Sequence, residues 1–102
     1  MKPIRIQRKR TKGWRMPNDV VYIGRGSIFG NPFDWRLTSK EIAVAEFRSW
    51  LGKYGNTWYP GLAEKRDIIL RNIYELRGRN ICCWCSENEP CHGDVLLEIA
   101  NE

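Results

Sequence analysis

The sequence predicts a small α/β domain, Rossmann-like and three-layered, built on a three- or four-stranded, mainly parallel sheet. Three observations carry that expectation. Short apolar or alternating runs of strand length occur at residues 3–8, 20–23 and 80–85. The stretch between the second and third runs has helical periodicity, so the order is β-loop-β-loop-α-α-β-α, and a helical connection favours parallel pairing through a right-handed crossover. No repeat, low-complexity tract or linker divides the 102 residues. One domain over 1–102 is therefore expected, with a basic strand and loop over 1–18 and a body over 19–102.

In the first element, Ile4 and Ile6 alternate with Arg5 and Gln7, giving a strand with one apolar face. Residues 9–18 contain Gly13 and Pro17 and read as a loop. Val20, Val21 and Ile23 are β-branched, which predicts a buried strand over 20–23. Residues 24–32 then hold Gly24, Gly26, Ser27 and Gly30 and end in a Gly-Asn-Pro turn. Thr38, three residues before Glu41, reads as the N-cap of a capping box. Ala43, Phe47, Trp50, Leu51 and Tyr54 recur at helical spacing, and Gly52 and Gly55 offer a stop. This aromatic stripe predicts core. A loop over 56–61 carries Trp58, Tyr59 and Pro60. A second helix is expected over 62–77, with Ile69, Ile73 and Leu76 on one face and Gly78 beyond its end. The last strand, a polar loop over 86–90 and a short terminal helix from Asp94 complete the chain.

The net charge of +5 is unevenly placed. Residues 1–15 carry seven basic side chains and no acid, whereas the remainder carries ten basic and twelve acidic ones, a balance of −2. Arg5, Arg8, Lys9, Arg10, Lys12 and Arg15 are thus a candidate nucleic-acid contact, helped by Trp14 and Trp58. The alternative is a solvated edge strand whose charges discourage aggregation. No run approaches the 18 or so apolar residues of a membrane span, and the charged N-terminus lacks the apolar centre of a signal peptide. A cytoplasmic protein without a membrane partner is expected. Its thiols then stay reduced, and cysteines read as metal ligands, buried groups or reactive thiols before disulfides.

All four cysteines and the single histidine fall within residues 82–92. Period two along a strand puts Cys83 and Cys85 on one face, with Cys82 and Trp84 on the other. Three readings compete. Cys83, Cys85, Cys91 and His92 have the chemistry of a zinc site, but CxC in a strand and adjacent Cys-His are awkward spacings, so no metal is the expectation and zinc the alternative. Cys91 lies at an apparent helix N-terminus, where a thiol pKa falls, and His92 beside it is a candidate acid or base. In the third reading the cysteines are packing groups. The glycine-rich loop is a second candidate site, although it is neither a P-loop nor a dinucleotide fingerprint. Gly24, Gly26, Ser27 and Gly30 let backbone N–H groups approach an anion, Arg25 adds a forked donor, and Asn31 orients a ligand.

Two strings resemble signatures of a small family of unknown function found in phage and bacterial genomes. They are Val21–Phe33, with its YIGR…GNPF pattern, and the CWC…PCHGDVL pattern of residues 83–96. The resemblance covers roughly residues 4–101 and implies the type of domain, with no particular reaction. Cys83, Cys85, Cys91, His92 and Asp94 fall on its motif, and Cys82 on a position expected to vary.

The functional expectation is a domain that binds, and in a fuller version processes, a nucleotide or related phosphorylated small molecule. Gly24, Arg25, Gly26, Ser27, Gly30 and Asn31 would hold the ligand, with Cys91, His92 and Asp94 as candidate catalytic groups opposite. Whether the domain is an enzyme stays open, and the alternative is a nucleic-acid-binding module, zinc-stabilised in one version. In parallel α/β sheets, ligands collect at the carboxyl ends of strands. Loops 24–32 and 86–92 both start at such an end, so they share a cleft if their strands are neighbours.

Overall fold

The structure, a computed structural model, describes residues 3–52 and 62–102. Tyr54, Gly55 and the expected loop with Trp58, Tyr59 and Pro60 lie outside the described residues.

Three strands, β1 (Arg5–Gln7), β2 (Val21–Tyr22) and β3 (Ile81–Cys83), form a parallel sheet in the order β1-β3-β2 among the described residues. Ile81 and Cys82 align with Arg5 and Ile6 on one side and with Val21 and Tyr22 on the other. The central position of β3 explains its sequence. A strand flanked on both edges and covered above and below needs side chains without charge, and Ile81, Cys82 and Cys83 are all buried. The outer strands are only half-buried, β2 included, and in that segment Ile23 supplies the fully buried side chain.

Three helices follow among the described residues: α1 (Lys40–Leu51), α2 (Ala63–Asn72) and α3 (His92–Ala100). None of them is long and apolar enough to cross a membrane. The periodic stripe of α1 buries Ala43, Phe47, Trp50 and Leu51. Its Trp50 ring meets Phe33 edge-on at 5.8 Å, pinning the end of the glycine-rich loop to the helix. The core continues through Ile69, Leu76, Ile81, Val95 and Leu96.

Three helix boundaries differ from the sequence expectation, the terminal helix beginning at His92 and not at Asp94. Ser39, and not Thr38, caps α1: Ser39 is extended and its hydroxyl accepts the Ile42 N–H at 3.1 Å. Thr38 instead closes the preceding 3-10 turn, donating its N–H to the Trp35 carbonyl at 3.2 Å. The helix expected to run to residue 77 ends at Asn72, and Ile73–Leu76 tighten into a 3-10 turn. The Asn72 side-chain amide donates to the Ile68 carbonyl at 2.7 Å, competing for a backbone acceptor of the last turn. Gly78 then turns the chain into β3 with φ 73, a left-handed conformation that favours glycine.

Candidate functional site

Because β2 and β3 are parallel neighbours, the chain segments leaving their carboxyl ends emerge side by side. A cavity of about 550 Å³ opens between them. From the first segment Gly24, Arg25, Gly26 and Asn31 line it; from the second, Pro90, Cys91 and His92 do. Ser27 and Gly30 stand behind that lining and shape the loop. Ser27 donates from both its N–H and its hydroxyl to the Gly24 carbonyl, at 3.1 and 2.7 Å, and its own carbonyl accepts from Gly30 N–H. Gly26 has φ 94, so only a residue without Cβ turns there unstrained. The Arg25 and Gly26 N–H groups donate to no other group among the described residues. Asn31 ties this loop to α1: its amide donates to the Ala43 carbonyl at 3.2 Å and its Oδ1 accepts Phe33 N–H at 2.9 Å.

The opposite wall depends on Arg5. Its side chain is 7% exposed and faces inward. The guanidinium donates to the carbonyls of Cys85, Ser86 and Glu89 at 3.2, 3.1 and 2.8 Å, to Asp94 Oδ1 at 3.0 Å, and approaches Cys83 Sγ at 3.8 Å. Arg5, which the sequence reading grouped with the candidate nucleic-acid contacts, thus has its donors engaged within the fold. Asp94 lies outside the cavity lining, half-exposed, and orients Arg5. Lys40 from α1 pairs with Glu89 and fastens the same loop from the far side. That pairing and the Ser86 backbone hold the Glu89 carboxyl down at about 2.

Cys91 is the N-cap of α3, its Sγ accepting the Gly93 N–H at 3.4 Å. Gly93 is closely packed in the first turn of α3, where a Cβ would sit 2.9 Å from Ile81 Cδ1 and 3.0 Å from Arg5 Cδ, so those side chains would have to shift. His92 reaches across to β2, with Nε2 2.7 Å from the Ile23 carbonyl. A carbonyl only accepts, so that nitrogen carries the proton, and Nδ1 presents its lone pair 3.7 Å from Cys91 Sγ. Burial pushes the His92 pKa down and favours this neutral form, against the opposing pull of the Ile23 carbonyl. Phe47 packs edge-on against the ring at 5.2 Å.

The sulfur atoms of Cys83, Cys85 and Cys91 all lie within 4.8 Å of one another, so the three cysteines form a group able to hold a metal ion. β3 stops at Cys83 and the chain bends at Trp84 and Cys85, which brings Cys85 back toward Cys83. Had the strand continued, alternate residues would stand about 6.6 Å apart. Cys83 Sγ is 3.1 Å from Cys91 Sγ. Hydrogen bonds from Cys85 and Cys91 hold the Cys83 thiol far below its usual range, whereas those same contacts push Cys91 and Cys85 up. The sulfur neighbours of Cys91 thus act against the lowering expected from a helix N-terminus, while Cys83 also lies next to the Arg5 guanidinium. Cys82 faces away from this cluster and is buried.

The sequence reading assigned Arg10 to the basic arm and did not single out Arg36 or Lys40. Arg10, Arg36 and Lys40 join Arg25 around the cavity, and no Asp or Glu among the described residues lines it. Arg36 is clamped by Asp34 at 2.9 Å and Lys40 by Glu89, while Arg10 and Arg25 make no ion pair among the described residues. Trp84 and Tyr22 also line the cavity, joined by the Trp84 Nε1–H donating to the Tyr22 hydroxyl at 3.1 Å. Arg10 stacks on Trp84 at 4.7 Å, and Arg8 on Tyr22 at 4.8 Å. The outward alternation of Trp84 within the cysteine strand was the signal that could have found this patch.

Comparison with known proteins adds one family. The model of a domain of unknown function (DUF4326) matches residues 6–102. A curated relative, the "uncharacterized 12.4 kDa protein in nrdA-td intergenic region" of Enterobacteria phage T4, is 28% identical over 81 residues, covering 79% of this chain and 67% of the relative. No solved structure matches. With nearly the whole chain matched, it belongs to the DUF4326 family.

Proposed function

We propose that this DUF4326 domain binds a nucleotide or related phosphorylated small molecule in the cleft between loops 24–32 and 86–92, on a sheet we read as Rossmann-like. One observation carries the reading: a cavity of about 550 Å³ ringed, among the described residues, by four cationic side chains, with aromatic faces and no carboxylate. That volume falls within the ~300–1,000 Å³ typical of small-molecule sites. Arg25 and Arg10, unpaired with carboxylates among the described residues, would take the anionic group, helped by the Arg25 and Gly26 N–H groups. Trp35 and Trp84, both partly exposed, offer faces for a base. Chemistry on a bound ligand would fall to Cys91 and neutral His92, with Asp94 acting through Arg5.

A thermal-shift screen of nucleotides and sugar phosphates tests this against Arg25→Ala. Arg25 is exposed, so its loss should change ligand-free stability by only about 0–1 kcal/mol. It should weaken an anionic ligand by about 2–5 kcal/mol. Absence of any shift in the wild type, or full retention of binding in the variant, would refute the cleft. Binding of nucleic acid alone, falling about 10³–10⁵-fold between roughly 50 and 200 mM salt, would favour the basic-arm module.

A further inference from the structure

The cysteine cluster carries an inference that does not depend on the identity of the ligand. We propose that Cys83, Cys85 and Cys91 bind one zinc ion, with the fourth coordination position facing the cleft. Three features of the fold support it.

The first is distance. Tetrahedral zinc with Zn–S bonds of about 2.3 Å sets its sulfur ligands roughly 3.8 Å apart. The three sulfurs here lie within 4.8 Å of one another, and the pair Cys83–Cys91 at 3.1 Å has to open by about 0.7 Å. Three thiolates select a soft, thiophilic ion over magnesium or calcium.

The second is charge. Three thiolates around a divalent cation leave one negative charge. The Arg5 guanidinium, 3.8 Å from Cys83 Sγ and almost fully buried, is placed to balance it.

The third is access. All three cysteines line the cavity, as does His92. The imidazole donates Nε2–H to the Ile23 carbonyl, the arrangement that fixes the tautomer of metal-binding histidines and leaves Nδ1 as the lone-pair nitrogen. Nδ1 nevertheless lies outside the 4.8 Å group, which contains the three sulfurs alone. The fourth position therefore belongs to a water or to a ligand atom from the cleft. A site with three protein ligands and one open position is the arrangement of a catalytic zinc, whereas structural zinc sites are closed by four.

Cobalt(II) substitution of the full-length protein is the test, because it reads coordination without requiring an activity. The metal-stripped, reduced protein should take up one equivalent of Co(II), with sulfur-to-metal charge transfer and intense tetrahedral d–d bands, and Zn(II) should displace it. Cys85→Ser, chosen because Cys85 is only half-buried, should weaken the metal by more than the ~10–100-fold typical of outer-sphere changes. Cys82→Ala should keep the spectrum. Added imidazole or azide should shift the d–d bands if the fourth position is open. Absence of Co(II) uptake by wild type, or an unchanged spectrum in Cys85→Ser, would overturn the site. Bands insensitive to every added ligand would overturn the open position. Loss of nucleotide binding with metal uptake intact would count against the proposed ligand and leave the zinc site standing.

Discussion

The two walls of the cleft are built on different plans. The glycine-rich wall is held from nearby in the chain: Ser27, Gly30 and Asn31 bond with Gly24, Ser27 and Phe33 a few residues apart, and Asn31 reaches Ala43 across twelve. The cysteine wall is held from far away in the chain. Arg5 reaches it across 78 to 89 residues, His92 reaches Ile23 across 69, and Lys40 reaches Glu89 across 49. The contrast teaches where each wall is vulnerable. Short-range turns depend on backbone conformation, whereas the long-range wall depends on one buried cation.

The largest effect should come from removing that cation. Arg5→Ala leaves the Cys85, Ser86, Glu87 and Glu89 carbonyls and Asp94 without their donor, and each part-buried acceptor left unsatisfied costs about 1–3 kcal/mol. Denaturant unfolding of Arg5→Ala beside Asp94→Asn separates the roles. Asp94 is half-exposed, so its loss should cost only about 0–1 kcal/mol. Equal losses in the two variants would mean that the ion pair, and not the loop carbonyls, is what Arg5 provides.

The glycine-rich wall should respond less. Gly26→Ala meets no atom within 4 Å, so the cost comes from φ 94 alone and is about 1–2 kcal/mol. The same melts would detect it. A destabilisation as large as that of Arg5→Ala would erase the distinction between the walls.

The smallest effect concerns the rim. Arg36 pulls the Asp34 carboxyl down to about 2, first through their side-chain hydrogen bond. A carboxyl depressed in the folded state stabilises above its ordinary pKa of 3.8, and that contribution is lost as pH falls through about 2. An NMR titration should find the Asp34 midpoint near 2, and Arg36→Gln should return it toward the ordinary value. A midpoint already near 3.8 in the wild type would show that the clamp does not persist in solution.

Much of the fold was legible because it is local. Ile4 and Ile6 alternating with Arg5 and Gln7, the stripe through Ala43, Phe47 and Trp50, and the glycines at 26 and 78 each act within a few residues. Boundaries were less legible. Thr38 and Ser39 have equivalent capping chemistry, and only the extended backbone at Ser39 decided between them. The spacing of Cys83 and Cys85 argued against a metal because it assumed a continuous strand, and the bend after Cys83 removed that assumption.

By itself the sequence determined that two strands, two helices, a strand and a helix follow in that order, that two loops carry the glycines and the sulfur, and that residues 80–85 are an apolar run of strand length. Only the tertiary structure decided that Arg5 faces inward while Arg10 faces the cleft, and that three sulfurs converge. Periodicity assigns a side chain to a face of its own element. Which distant groups meet there depends on how parallel strands some 75 residues apart are brought into register, and that depends on packing across the whole domain.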